Sequence, residues 1–326
     1  MNLRQLVVFC EVVDQGLNLS AAAQRLRRSQ PSITRQVQEL EEELGAPLFL
    51  RKRSKILQLT PYGREVLTSA RRIVRELHAI RGAGEDTSAA VQGDLTIATT
   101  HSQARYTLPL VIRRFAAAYP FVRLILRQGT PAQCVERVAQ GTADVAICTE
   151  TLGGLKDILS LPCYRLNRSV VVPRAHPLLK LKTLTLEAIA RYPLITYDEG
   201  FSGRWFMEHA FSERNLEPRV VLRAIDADVC KAYVEIGLGI AILANIGFDK
   251  ARDRELRCID ARHLFPSSTL RLMCRRHSYL RHYVLAFIGM FAPQLSGSVM
   301  ERALTEDRMP PHVPVPELDR QRPTRG

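Results

Sequence analysis

The sequence predicts an α/β protein with a helical, basic front and a longer region in which strands and helices alternate. Three observations predict it. Apolar residues recur at helical spacing as far as Leu44, a basic tip sits between apolar arms at 48–59, and beyond Gly93 β-branched runs alternate with amphipathic stretches. With 326 residues the chain has room for two or three domains, each burying its own core.

Leu3, Leu6, Val7, Val8, Val12 and Val13 outline a first amphipathic helix. Asn18 or Leu19-Ser20 opens a second helix, Ser20 to Leu26, whose alanines allow another helix to pack closely. After the basic turn Arg27-Arg28, Ser29 is an N-cap with Pro31 tolerated in the first turn. The third helix follows, with Ile33, Val37, Leu40 and Leu44 at spacings of 4, 3 and 4 and Gly45 as its stop. Two helices joined by a tight turn, the second opening on Ser/Gln/Ser/Thr/Arg, form a helix-turn-helix. Leu48 to Leu59 is its hairpin wing. Ser29, Gln30, Pro31, Ser32, Thr34, Arg35 and Gln36 then start the recognition helix, where such side chains read base edges or hold phosphates. Arg51 and Arg53, with Lys52 and Lys55, would meet the DNA backbone or minor groove from the wing. The alternative reading is a set of solvated surface charges.

Thr60 and Pro61 start a further helix on which Val66, Ala70, Ile73, Leu77 and Ile80 make a coiled-coil seam. A lone helix cannot bury such a seam, which predicts dimerisation there. Gly82 to Gly93 reads as a linker. Beyond it, 95–99, 122–126 and 144–148 read as strands separated by helices at 108–119 and 133–139, and parallel strands with crossovers are expected. A second unit includes 170–172, 194–196, 220–223, a helix from Asp226, and 240–243. The strand 269–274 and the helix 279–291 return to the first. The proline-rich end reads as disordered.

The chain holds 46 basic and 33 acidic residues, net +13, which favours a polyanionic partner. Up to Gly84 there are 14 basic against 8 acidic residues, and 32 against 25 in the other 242, so positive charge is densest at the front. The charge-free run Tyr283 to Met300 is broken by Pro293-Gln294 and Ser296-Gly297-Ser298, and Glu11 and Asp14 follow the apolar run Leu6 to Phe9 closely. No membrane span, no membrane partner and no signal peptide are expected, and the expected location is the cytoplasm. Seven scattered cysteines without a CxxC pair argue against a disulfide framework or a zinc module. No metal and no cofactor is expected.

Thr99-Thr100-His101-Ser102-Gln103 ends one strand and starts a helix, Thr149 ends another, and Ser202 lies in the turn Gly200 to Gly203 before a helix. Ligands of open α/β sheets bind beyond the carboxyl ends of strands. Hydroxyls and free N–H groups there suit a small anion or zwitterion, although Thr and Ser at these positions also serve simply as caps. Gly237-Leu238-Gly239 has the wrong order for a dinucleotide loop, and Gly200 to Arg204 lacks the last glycine of a hydrolase elbow. His101 beside Cys148 or Cys163 would be a weak catalytic pair. Asp198-Glu199 and Glu41-Glu42-Glu43 read as solvated carboxylates, and no enzyme is predicted.

The residues resemble the LysR-type transcriptional regulators. The family pattern is carried by Ala21 to Leu26, Ser29 to Val37, Leu40-Glu41, Leu44-Gly45, Leu48-Phe49 and Thr60 to Gly63. Ile97 to Tyr106, Leu161 to Tyr164, Gly200 to Arg204 and Asp226 to Val229 resemble the CysB-like group, and the likeness runs from residue 1 to about 295. It implies a winged helix-turn-helix at 1–59, a dimerising linker helix and hinge at 60–92, a periplasmic-binding-protein-like effector domain at 93–300 and a tail at 301–326. Within the effector domain it places subdomain I at 93–162 plus 268–295 and subdomain II at 163–267. It further implies a homodimer through the linker helix and a homotetramer on double-stranded promoter DNA, with RNA polymerase as a possible partner. The cleft between subdomains would take an effector such as sulfate, adenosine phosphosulfate or an acetylserine through Thr100, Ser102, Gln103, Thr149 and Ser202, and the regulated genes would serve sulfur metabolism. The alternative within the family is a sensor of an unrelated carboxylic acid. Ser102 and Ser202 stand where the CysB-like group usually has Thr, Asp198-Glu199 replaces a neutral pair, and Leu166 stands where an aromatic is common.

Overall fold

A computed structural model describes residues 1–52, 55–85, 91–149, 157–198, 200–276, 278–306 and 313–318. The chain divides into two compact units, Met1–Ala89 with Tyr279–Arg281, and Ala90–Ser278 with His282–Gly326.

In the first unit, α1 (Leu3–Asp14) starts with a capping box in which Asn2 and Gln5 exchange side-chain and backbone hydrogen bonds. Asn18 caps α2 (Leu19–Arg25), its Oδ1 accepting from the N–H groups of Ser20 and Ala21. The turn passes through Arg27 at φ 52° into α3 (Gln30–Leu44), which ends at Gly45 in the left-handed region. Ile33, Val37 and Leu40, spaced as the sequence predicts, are fully buried with Phe9, Ala22 and Leu48. Phe9 meets Phe49 edge-on at 5.4 Å between ring centroids. The wing is the antiparallel pair β1 (Phe49–Lys52) and β2 (Lys55–Leu59).

Thr60 joins the wing to α4 (Pro61–Glu85): its Oγ1 donates to the Pro47 carbonyl and accepts from the Gly63 N–H, both at 2.8 Å. A Cβ on Gly63 would stand 2.1 Å from the Leu48 carbonyl oxygen, a backbone atom with little room to move. Gly63→Ala is therefore expected to destabilise this unit by about 3 kcal/mol, as overpacking does, measurable as a lower urea midpoint. An unchanged midpoint would show that α4 shifts freely on the wing.

The predicted α4 seam is partly used within its own unit. Ala70 is buried against α1 together with Leu67, and Val66 and Val74 pack beside them. Ile73 is 37% exposed and lines an apolar groove of about 640 Å³ with Met1, Leu3 and Leu6. Among the described side chains of the seam, Ile73, with the start of α1, is the one left to another surface; Leu77 is half-buried, and the Ile80 side chain lies outside the described residues. The predicted linker from Gly82 is still helix as far as Glu85, and 86–90 lie outside the described residues.

The second unit carries two five-stranded sheets. The first is built from β3 (Gly93–Thr99), β4 (Val122–Gln128), β5 (Val145–Thr149), β6 (Ile158–Leu166) and β12 (Ser268–Arg275), in the order β4-β3-β5-β12-β6. Short α5 (His101–Tyr106), α6 (Leu108–Ala118), α7 (Pro131–Ala139) and α11 (His282–Phe291) belong to this subdomain. The second sheet contains β7 (Arg168–Pro173), β8 (Leu194–Tyr197), β9 (Val220–Ala224), β10 (Ile240–Ala244) and β11 (Leu256–Asp260), in the order β11-β7-β10-β8-β9. With it come α8 (Leu186–Ala190), α9 (Ser202–Ser212) and α10 (Ala227–Glu235).

Three expectations are corrected. The sheets are mixed, because β12 runs antiparallel to β5 and β6, and β7 antiparallel to β10 and β11. Residues 163–166, expected in subdomain II, continue β6 and pair with β12, so the chain changes sheets at Asn167. The tail is not structureless throughout: α12 (Ser298–Glu306) buries Met300 and Ala303. Val313 to Leu318 then lies along β6, with Arg165 donating to the Pro316 carbonyl and accepting from the Leu318 N–H. β6 is an edge strand, and an edge tolerates prolines in the segment that covers it.

The two strands that cross between sheets are tied by a hydrogen bond from the buried Arg168 guanidinium to the buried Ser268 hydroxyl. Among the described residues no single helix is long and apolar enough to cross a membrane.

Candidate functional site

Two regions gather the polar side chains singled out in the sequence. The first is the exposed start of α3. Ser29 and Gln30 are exposed, and the Ser29 side chain makes no capping bond. Pro31 is exposed, while Ser32, Thr34 and Gln36 are half-buried on the flank, with Thr34 donating to the Gln30 carbonyl. Arg35 projects outward with its side chain 81% exposed and pairs with Glu39 one turn on, at 2.7 Å. So exposed an ion pair holds its partner weakly, and the guanidinium can exchange Glu39 for an anion outside. The Gln36 Oε1 is buried and accepts no hydrogen bond.

The wing differs from the expected row of free cations. Glu41, read as one of three solvated carboxylates, accepts from the N–H groups of Leu48 and Phe49 and from Arg51, at 2.8, 3.1 and 2.9 Å. Arg51 is only 25% exposed and is held to α3 by this carboxylate. Lys52 is exposed, and Arg53 lies outside the described residues. Glu41 is thus the residue that sets the wing against the recognition helix, which its acidic neighbours in sequence disguise.

The second region lies at the carboxyl ends of both sheets of the effector unit. β3 and β5 are parallel, with Thr99 opposite Ile147, so Thr100, just after β3, and Thr149, the last residue of β5, lie at the same end of neighbouring strands. Thr100 is the N-cap residue of α5, yet its hydroxyl caps nothing, is nearly buried and has no hydrogen-bond partner among the described residues. The first-turn N–H groups of a helix have no intrahelical acceptor, so donors converge here. Gln103 is buried, and its Oε1 accepts from the Thr107 hydroxyl at 2.6 Å. The Ser102 hydroxyl lies beside that of Tyr197, the last residue of β8 in the other sheet. Thr149 is half-buried, and Ser202 begins α9, five residues beyond Tyr197. Thr100, Ser102, Gln103 and Thr149 therefore share one strand-end region that reaches β8. Asp198 is exposed, Glu199 lies outside the described residues, and Leu166 is buried in β6.

Charged residues that the sequence left unassigned join the subdomains beside this region. The Tyr106 hydroxyl, at the end of α5, donates to Asp228 on α10, and Arg105 lies 3.3 Å from the same carboxylate. Lys231 reaches Asp228 at 3.3 Å and Asp253 at 2.9 Å, and its ammonium sits 5.2 Å from the Tyr106 ring centroid. Burial and the Asp228 hydrogen bond push the Tyr106 hydroxyl well up, so it stays a donor. Burial raises the Asp228 carboxyl, but the Tyr106 hydrogen bond and the Lys231 and Arg105 charges outweigh it and hold the group below the usual carboxylate range.

His101, Asp226 and Asp228 bring ligand atoms within 4.8 Å of one another, a spacing a cation could bridge. Arg105 and Lys231 already pair with Asp228, and Asp226 is engaged in capping α10, so the donor set does not suit a resident metal. The two thiols considered beside His101 are not activated: hydrogen bonding to Cys134 and burial hold Cys148 well up, and burial pushes Cys163 up to about 12.

A family model for the LysR substrate binding domain matches residues 88–296, and one for the bacterial regulatory helix-turn-helix protein, lysR family, matches residues 3–64. The chain belongs to the LysR family of transcriptional regulators. This regulator is 45% identical to the HTH-type transcriptional regulator CysB of Burkholderia cenocepacia over 304 residues, covering 93% of this chain and 97% of that one. It is similar to the solved cofactor-binding domain of the Cbl transcriptional regulator, with 41% identity and a TM-score of 0.63 over 66% of this chain and 95% of that one. It also resembles full-length CbnR crystallised with its target DNA, at 25% identity and a TM-score of 0.61, over 89% of this chain and 99% of that one. Family and relatives alike are transcriptional regulators and not enzymes, so the strand-end region of this regulator is read as a binding site.

Proposed function

We propose that this regulator controls genes of sulfur metabolism, for cysteine biosynthesis or for assimilation of sulfate or organosulfur compounds, under a small sulfur-related or acetylserine effector. The observation that carries the reading is the uncommitted, nearly buried Thr100 hydroxyl at the strand ends, in a chain 45% identical to a CysB over nearly its whole length. An anion there would accept from Thr100, from the first-turn N–H groups of α5, from the Gln103 amide and from Ser102 and Thr149, with Ser202 contributing from α9. Sulfate, adenosine phosphosulfate and acetylserine all present acceptor oxygens to such a donor set.

On the DNA side, α3 enters the major groove with Arg35 and Gln30 at base edges and Ser29, Ser32 and Thr34 at phosphates, while the wing lies on the backbone. Dimers form through Ile73 and the start of α1, and two dimers make a tetramer on a pseudo-palindromic promoter. Ligand closure of the two subdomains changes how the dimers sit along DNA and so the access of RNA polymerase. Acting on promoter DNA places the protein in the cytoplasm.

Arg35→Ala tests the assignment of α3. Fluorescence anisotropy is expected to show operator affinity falling by roughly 10- to 100-fold, the 1–3 kcal/mol of a base-edge contact, with random-sequence affinity falling much less. Equal losses on both DNAs would make Arg35 a phosphate contact and leave base reading to other residues.

A further inference from the structure

The second subdomain carries a basic groove along the β11 edge of its sheet. It encloses about 810 Å³ between β7, β11 and the turn that follows β10. Arg174 stands just beyond β7, Lys250 and Arg254 in the segment leading to β11, Arg257 in β11 and Arg262 just after it. Arg262 is matched by Asp260 at 2.7 Å and Glu317 at 3.4 Å. The other four cations have no carboxylate partner among the described residues.

This concentration is costly unless something negative occupies the groove. Like charges a few ångströms apart repel by about 1 kcal/mol per pair even in water, and by more beside a low-dielectric wall. Many other basic residues of the same unit do find carboxylates, among them Arg105, Arg123, Arg204 and Lys231. The two central guanidinium groups are also pre-oriented. Arg257 donates to the carbonyls of Arg254 and Leu256 at 2.8 and 2.7 Å, and Arg254 to that of Ala251 at 3.3 Å. Backbone carbonyls hold the forks without neutralising them, which leaves the remaining N–H donors to accept a planar or tetrahedral anion. One carboxylate of the chain, Glu317 in the C-terminal segment, is already drawn to the rim. The half-buried Phe248 ring and the buried Ser169 give the groove an apolar side and a polar floor.

We propose that this groove is a second ligand site of the regulator, taking the di- or triphosphate group of a small molecule. Charge selects the class. A terminal phosphoryl group brings roughly −1.5 to −2 at neutral pH and each inner one about −1, so a di- or triphosphate brings about −3 to −4 against the four unpaired cations, where a single sulfate matches half. The volume lies in the range of about 300–1,000 Å³ typical of small-molecule sites. Its lining includes none of Thr100, Ser102, Gln103, Thr149 and Ser202, and it does not rest on the sulfur reading.

Isothermal titration of the full-length protein with inorganic pyrophosphate tests it, followed by displacement with ADP. One saturable site per chain is expected, displaced by ADP, weakened at least tenfold in Arg254→Ala/Arg257→Ala and retained in Thr100→Val. The melting temperature of the double variant, expected to match the parent because both side chains meet solvent, separates loss of the site from loss of the fold; Lys250→Ala, expected to weaken binding severalfold, serves should the double variant melt early. Absence of saturable binding, equal binding by the variants, or loss of the site in Thr100→Val would each overturn the proposal.

Discussion

Replacing Lys231 by methionine is expected to destabilise the effector unit by about 3–5 kcal/mol, the cost of leaving a buried charge without its partner. Lys231 and Asp253 are 7% and 9% exposed at their side chains, and the ammonium touches both carboxylate oxygens at 2.9 Å. Asp253 keeps one further donor, the Asp249 N–H at 2.8 Å, which cannot neutralise it. Asp228 loses a cation at the same time and retains Tyr106 and Arg105. The single tryptophan, Trp205 on α9 in the same subdomain, reports the transition by fluorescence in urea. The double variant Lys231→Met/Asp253→Asn removes both charges and is expected to recover part of the loss. A cost below about 1 kcal/mol for the single change would mean that water reaches the pair and that it does not hold α10 in place.

The second large effect concerns binding. Thr100→Val keeps the shape of a nearly buried side chain and removes its hydroxyl, whose hydrogen bond to a charged ligand is worth about 1.5–3 kcal/mol. Effector affinity by calorimetry is expected to fall roughly 10- to 100-fold, while operator affinity without effector stays within about twofold. Unchanged effector affinity would remove Thr100 from the site. Loss of operator binding in a variant that remains folded would contradict the separation of DNA reading from ligand sensing.

Most of the first unit is legible in the sequence because its signals are local: Asn18 and Gly45 mark helix ends, Pro61 marks a start, and Ile33, Val37 and Leu40 mark one buried face. Glu41 escapes because its partners, the N–H groups of Leu48 and Phe49 and the Arg51 guanidinium, come together only when the wing folds back on α3. In the effector unit the strands are legible but their allocation is not. A single residue, Asn167, separates β6 from β7, and only pairing with the distant β12 shows that the sheet changes there. Prolines at the end of the chain suggest disorder, whereas an open sheet edge gives residues 313–318 a partner that composition does not reveal. For the candidate site, strand ends point to Thr100 and Thr149. Tyr106, Asp228, Lys231 and Asp253 carry no local motif of their own, although the first two lie within segments that resemble the CysB-like group.

The central claim is that a sulfur-related or acetylserine ligand binds at the strand ends of a DNA-binding regulator. A thermal-shift panel with sulfate, thiosulfate, adenosine phosphosulfate, O-acetylserine and N-acetylserine tests it most directly. At about a hundred times its dissociation constant a ligand stabilises the state it binds by about 2.7 kcal/mol, so at least one member is expected to raise the melting temperature of the parent protein clearly and that of Thr100→Val far less. No shift with any of the five, alongside a shift with an unrelated carboxylic acid, would contradict it.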